Sequence, residues 1–558
     1  MEQLNVDFIG RIEEAIIKYW DHEALTDYKG ATLQYKDVAR KIEKLHILFE
    51  RAGVEQGDKV ALCGRNCAQW AAAFLATLTY GAVAVPILHE FKPEQVHAIV
   101  NHSDAKILFV GDQVGPTLTP SEMPHLEGII SLVDYQLVES RSDKLTDARE
   151  RLNALYGERY PKNFRQEHVK YRRADSEELA LINYTSGTTS RSKGVLIPYR
   201  ALWSNTEFAC SVYNHVFKEG EGRVISILPL AHMYGMAFEF LFEFTRGGHI
   251  YFLTRLPSPK IIMNAFGEIK PNVVISVPLI IEKIIKKSVL PKLETPSMKI
   301  LMNVPIINQR IQARVREELK QAFGGEFYEV IIGGAAFNSE VEQFLHKIGF
   351  NFTVGYGATE CAPIICYSNW QHFVPGSCGK AAPRMEVRID SPDPEHVVGE
   401  ILTRGMNVML GYYKNEEETR KTIDADGWYH TGDLGVMDAD GNLFIRGRSK
   451  NMLLGASGQN IYPEEIEDQL NTLPYVSECV VIQKGEKLYG LVYPDFEEAE
   501  RDGLDETALG EVMEQNRATL NQMIPAYEHL TAIKIRHEEF EKTPKRSIKR
   551  FLYVDEEV

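Results

Sequence analysis

The sequence predicts an α/β protein: a large N-terminal part of layered α/β sheets carrying a small β-barrel-like subdomain, followed by a small α+β C-terminal domain. Three observations lead there. Helical periodicity alternates with short Val/Ile/Leu runs over the first ~370 residues, the pattern of βαβ units and a mostly parallel sheet. From about Gly376 short strands alternate instead with Gly, Pro and Asp turns (EVRID, GEILTRG, GWYHTGDLG, GNLFIRGR). After Arg448 the texture changes again, to EEIEDQL, ECVVIQ, LYGLVYP, a charged helix near 505–520 and AIKIRH. Domain bounds of 1–448 and 449–558 follow, with the β-rich unit at about 376–448.

Taken in order, GDKVALCG (57–64) reads as a strand, followed by a helix through Trp70 and Leu78 and the strand AVAVPIL. PEQVHAIVNH (93–102) reads as a helix before the strand KILFVGD (106–112). The segment 115–175 is charged and reads as an irregular surface excursion. VISILPL, HIYFL, NVVISVP and YEVIIGG continue the strand series to residue 334. The uncharged run 71–88, AAAFLATLTYGAVAVPIL, just reaches membrane-spanning length, but Gly81 splits it and its second half ends at a Pro. A buried helix–strand pair is expected, with no transmembrane span; peripheral membrane contact stays open.

Composition excludes several classes. With 558 residues, 44% hydrophobic and 25% charged, the chain is neither collagen-like nor disordered. A net charge of −16 argues against sequence-independent nucleic-acid binding, but a nest of backbone N–H groups can hold a polyphosphate on an acidic protein. Seven cysteines point to a reducing compartment rather than a disulfide framework. The N-terminus lacks the basic start and apolar block of a signal peptide, so the expected location is cytoplasmic. Cys63 and Cys67 precede His97 and His102 at a spacing too long for a zinc finger.

The stretch carrying most chemistry is Tyr184-Thr-Ser-Gly-Thr-Thr-Ser-Arg-Ser-Lys-Gly-Val195, directly after the strand LALINY. Backbone N–H groups and hydroxyls of Thr185, Ser186, Gly187, Thr188 and Thr189 can wrap phosphate oxygens, and Lys193 adds charge. It is not a Walker A loop, which needs Gly-Lys-Ser/Thr where this chain has Ser192-Lys193-Gly194. In GYGATE (355–360), Tyr356 offers a face for a flat base and Glu360 a hard oxygen suited to Mg²⁺. Small residues at Gly334, Ala335 and Ala336 allow close approach to the backbone. Asp433, in a Thr-Gly-Asp turn, can accept both hydroxyls of a ribose, with Arg448 able to reinforce it.

This loop resembles the phosphate-loop signature of the adenylate-forming superfamily of acyl-CoA synthetases, luciferases and peptide-synthetase adenylation domains, Thr-Ser-Gly-Thr-Thr-Gly-x-Pro-Lys-Gly. It departs at Ser190 and Ser192. Further motifs follow in the family's order: LPLAHMYG (228–235), IIGGAA (331–336) with GYGATE, GWYHTGDLG (427–435), GRSKNMLLGASGQNIYPEEIE (447–467) and TPKRSIKRF (543–551).

The resemblance spans nearly the whole chain and implies ATP, Mg²⁺ and CoA as cofactors or co-substrates. It assigns Tyr356, Gly357 and Gly334–Ala336 to adenine, Thr359 to phosphate, Glu360 to Mg²⁺, and Asp433 with Arg448 to ribose. His232 falls beside the substrate carboxylate, and Lys549, rather than Lys545, is the catalytic tail lysine. Lys450 falls at the hinge of a mobile C-terminal domain, and Gly455, Ala456, Ser457 and Gly458 on the CoA-side loop. Phe238 and Phe242, in MAFEFLFEF, are read as a wall of the acyl pocket, although core packing would give the same pattern. The overall pattern is most similar to bacterial long-chain fatty-acid–CoA ligases. A medium-chain or aryl acid, an acyl-carrier-protein acceptor, or a non-catalytic adenylate-binding copy are the alternatives.

Overall fold

The computed structural model describes residues 4–185, 192–254, 259–293, 295, 304–455, 459–542 and 548–557. The largest sheet has eight strands in the order Gly411–Tyr412, Lys193–Pro198, Leu179–Thr185, Val83–Ile87, Lys59–Cys63, Ala105–Val110, Gly128–Ser131 and Leu137–Ser140. Its centre is parallel and its two ends antiparallel. The strand Val83–Ile87 is buried along its whole length, as a central parallel strand must be.

The preceding helix, Ala68–Tyr80, is buried on nearly all sides, with Trp70 stacked on Phe74. Its end is set by Gly81 at φ +91°, a left-handed cap where a side chain would be strained. The uncharged run 71–88 is thus a core helix and a core strand. Among the described residues no helix is long and apolar enough to cross a membrane.

The segment 115–175 departs from the expectation of an irregular excursion. Gly128–Ser131 and Leu137–Ser140 extend the large sheet, and helices Asp143–Glu150 and Leu152–Arg159 follow. Leu145, Ala148, Leu152 and Leu155 are buried, an i, i+3, i+7, i+10 stripe masked in the sequence by charged residues on the opposite faces.

A second sheet orders Arg223–Ser226, His249–Phe252, Glu23–Asp27 and Thr32–Gln34; a third, all parallel, orders Val274–Ser276, Val330–Ile332 and Phe352–Val354. The β-rich unit is an antiparallel sheet of four strands, Met385–Asp390, Gly399–Gly405, Tyr429–Met437 and Leu443–Arg448. Its first and last strands sit at opposite edges, so the barrel-like expectation resolves to an open sheet.

Beyond it, the helix Pro463–Leu470 and helix Glu506–Met523 pack on the strands Val476–Lys484, Lys487–Pro494 and Leu530–Ile535. Ile466, Leu470, Val481, Val492, Leu509 and Leu520 belong to a core of their own. Polar contacts tie this unit to what precedes it: Arg446 to Glu465 at 3.2 Å, and Lys286 Nζ to the Asn471 carbonyl at 2.9 Å.

Candidate active site

Several loops named by the sequence leave the carboxyl ends of strands, where open α/β sheets form their ligand crevices. Leu179–Thr185 ends at the phosphate loop, Arg223–Ser226 leads to His232, Val330–Ile332 to Gly334–Ala336, and Phe352–Val354 to Tyr356. Two cross-links join these loops. Asn183 Nδ2 donates to the Ala231 carbonyl at 2.9 Å, and the Tyr234 hydroxyl donates to the Ile331 carbonyl at 3.2 Å.

Gly334 has φ +91°, and Gly334, Ala335 and Ala336 are all exposed. They leave a patch of backbone without bulky side chains, open to a flat base. Gly357 is required by crowding, because a Cβ there would stand 2.3 Å from the Pro363 carbonyl oxygen.

Tyr356 is buried, and its hydroxyl donates to Asp433 Oδ2 at 2.6 Å. Arg448 Nε stands 2.9 Å from Asp433 Oδ1. The two charged residues are direct partners across the strands Tyr429–Met437 and Leu443–Arg448. Burial pushes the Asp433 carboxyl up, and the Arg448 charge pulls it back; the Asp433 charge in turn raises Arg448. The carboxyl group is therefore buried and oriented from both sides, by the Tyr356 hydroxyl and by Arg448.

A second cluster lies around Glu360. Its Oε1 accepts from the Tyr412 hydroxyl at 3.0 Å, and its carbonyl accepts from Met409 N–H. Lys193 Nζ lies 5.0 Å from the Tyr412 ring centroid and pairs with Glu418. One tyrosine thus carries the loop lysine on its face and the acidic group on its hydroxyl. Thr359, next to Glu360, is buried. Lys450 adjoins this cluster: burial, then the like charges of Arg448 and Lys193, hold its ammonium below the usual lysine range.

His232 caps the short helical turn Met233–Gly235, its Nδ1 accepting from Tyr234 N–H at 3.3 Å. In the neutral ring this bond leaves the proton on Nε2. Phe238 packs edge-on against Tyr234 and Phe208, while Phe242 packs on Tyr213 and under the Arg246 guanidinium. Both are buried.

The structure thus brings together Lys193, Tyr356, Thr359, Glu360, Asp433, Arg448 and Lys450. Lys549 is engaged elsewhere: its Nζ is 2.6 Å from Glu541 Oε1, which it holds below the usual carboxylate range. Gly455 is described, its N–H bonded to the Gln459 carbonyl. Ser186, Gly187, Thr188, Thr189, Ala456, Ser457, Gly458 and Lys545 lie outside the described residues.

Two residues escaped the sequence reading. Tyr412 lies in a two-residue strand against Val195 and Leu196, and Glu418 in an acidic helical turn that looks merely solvated. Only Tyr412's place in a Gly-Tyr-Tyr stretch could have flagged it. For the Asp433 group, if it holds the ribose as the resemblance implies, Asp433→Asn is expected to raise the KM for ATP about ten- to a hundredfold, since a charge-assisted hydrogen bond is worth roughly 1.5–3 kcal/mol. Substrate-saturation curves of pyrophosphate exchange check this.

Residues 12–413 match the model of the AMP-binding enzyme family, and 450–556 match the C-terminal domain of AMP-binding enzymes. The chain belongs to that family, and is an enzyme of the ligase class its relatives define. A long-chain-fatty-acid–CoA ligase of Gallus gallus is 28% identical over 84% of this chain, the match taking in 65% of that protein. A long-chain-fatty-acid–CoA ligase of Mycobacterium bovis is 27% identical over 85% of this chain and 78% of its own length. Among solved structures, ATP-bound MatB from Rhodopseudomonas palustris superimposes with a TM-score of 0.77, at 21% identity over 99% of both chains.

Proposed function

We propose that the enzyme activates a long-chain fatty acid with ATP, forming an acyl-adenylate and pyrophosphate, and then transfers the acyl group to CoA with release of AMP. The observation that carries this reading is the closeness of two charge groups, Glu360 of one acting on Asp433 and Arg448 of the other. The oriented Tyr356–Asp433–Arg448 set suits a nucleoside, and the Lys193–Tyr412–Glu360 set suits a polyphosphate. Names of relatives support the acid and the thiol.

In this reading the base lies on Gly334–Ala336 and Tyr356, and the ribose hydroxyls bind Asp433. The substrate carboxylate stands near the Nε2 side of His232 and attacks the α-phosphorus, breaking the bond to pyrophosphate. Lys193, freed from Glu418, draws charge from the phosphates. Glu360 is the residue here that would hold Mg²⁺: its carboxylate is a hard oxygen donor already oriented by a hydroxyl. When bound, the ion neutralises polyphosphate charge. Lys549 must leave Glu541 to reach the reacting oxygens. We place the hinge for that movement at Lys450, with Gly455 at the start of the loop that borders the thiol path.

The product test is direct. With Mg²⁺, ATP and acids of two to eighteen carbons, AMP and pyrophosphate should appear, and thioester only when CoA is added. ADP and orthophosphate would sink the reading. The same assay tests the acyl wall. Phe238 lies one helical turn beyond Tyr234 toward the interior, so Phe238→Trp should shorten the preferred acid. Losing room for four methylenes costs roughly 3 kcal/mol, over a hundredfold in kcat/KM for the longest acids. A lower Tm with unchanged chain preference would make Phe238 a packing residue only.

A further inference from the structure

The loop that ends at His232 is held by three buried polar side chains from separate parts of the chain. Asn66, beyond the strand Lys59–Cys63, donates to Ser226 Oγ at 3.0 Å and to the Leu228 carbonyl at 2.6 Å, and accepts from Leu230 N–H at 2.9 Å. Asn183, on the strand that ends at the phosphate loop, donates to the Ala231 carbonyl at 2.9 Å. Glu239 accepts from Leu228 N–H at 3.0 Å. The three are 8%, 4% and 0% exposed.

Between them they use polar groups of Ser226, Leu228, Leu230 and Ala231. Pro229 has no N–H, and its carbonyl accepts from His232 N–H at 2.9 Å. Asn66 and Glu239 meet at Leu228, the first on its carbonyl and the second on its N–H. Glu239 lies in the π-helical stretch Met236–Leu241, a geometry that is uncommon and often found at functional sites. Burying a carboxylate is costly, and an apolar residue would fill a core position without that cost. Here the polar groups converge on the one irregular segment that sets where His232 stands.

We propose that Asn66, Asn183 and Glu239 are positioning residues for the carboxylic acid, fixing the His232 loop so that the imidazole meets the substrate carboxylate. This rests on the reading of His232 as a wall of the acid site. None of the three touches the reacting atoms; each acts through the loop.

The test uses the full-length enzyme and pyrophosphate exchange, with KM measured separately for the acid and for ATP. Asn183→Leu removes one donor at similar size. It is expected to raise the acid KM about five- to tenfold, the worth of one buried hydrogen bond, with the ATP KM unchanged. Combined with His232→Ala it should add little, because the two act as a unit. Glu239→Leu removes the acceptor for Leu228 N–H and should raise the acid KM in the same way, with Glu239→Gln, whose amide oxygen can still accept, recovering part of the loss. If Glu239→Leu does not fold, Asn183→Leu decides.

A fall in Tm with both KM values unchanged would overturn the proposal and make these residues scaffold only. So would equal rises in both KM values. If His232→Ala leaves the acid KM unchanged, the reading of His232 falls and the proposal with it. If His232→Ala raises it and Asn183→Leu does not, the proposal alone falls.

Discussion

Lys549→Ala is expected to lower ATP–pyrophosphate exchange roughly a hundred- to a thousandfold, the usual cost of removing one group aimed at developing charge. It should still convert synthetic acyl-adenylate and CoA to thioester at a substantial rate, because the reading gives this lysine work only in the first step. In the structure the ammonium is held by Glu541 on its own domain; in the proposed reading it reaches the α-phosphate only when the C-terminal unit carries it there. Lys450→Pro should show the reverse, sparing exchange and blocking thioester formation, since proline restricts φ at the hinge. Lys450 also feels the charges of Lys193, Glu418 and Asp433, so Lys450→Ala must be measured beside it to separate lost charge from lost rotation. Lys545→Ala should leave both steps largely unaffected. An inactive Lys545→Ala with an active Lys549→Ala would move the catalytic role to the other lysine. Equal loss of both steps in Lys549→Ala, with the fold intact, would remove the two-conformation mechanism.

Glu360→Gln is expected to cut adenylation roughly a hundredfold or more and to raise the Mg²⁺ concentration needed for half-maximal rate. The fold should be intact, because the new amide oxygen can still accept from the Tyr412 hydroxyl, now 3.0 Å from Glu360 Oε1. What the substitution removes is charge. Chelating Mg²⁺ should stop the wild-type enzyme and the variant alike, and excess Mg²⁺ should restore part of the variant's rate. Near-wild-type exchange by the variant at low Mg²⁺ would show that Glu360 is not a metal ligand. Tyr412→Phe separates two contributions at the same spot, since it keeps the ring under Lys193 and deletes only the bond to Glu360.

Much of this was legible before any coordinates. Alternation of apolar strands and amphipathic helices is a local signal, so the strands at Lys59–Cys63, Ala105–Val110 and Val330–Ile332 and the helix Pro463–Leu470 fall where the periodicity put them. Asp433, Tyr356 and Glu360 were singled out by motif order, and the structure sets Tyr356 against Asp433 with Glu360 near them. The strands at 128–131 and 137–140 were not: each is only four residues long, too short to show a period, and the second, LVES, is an exposed and half-polar edge strand.

By itself, then, the sequence determined the α/β architecture and the residue types available for nucleotide chemistry, through period, turn chemistry and motif order. Tertiary structure alone decided which of these meet. Tyr412 reaches Glu360 across 52 positions, and Lys193 reaches Glu418 across 225. Asn66 clasps a loop more than 150 positions away. Such pairs leave no periodic trace, because a polar side chain that looks solvated in one dimension becomes a buried partner only when the sheets stack and exclude water from both of its sides.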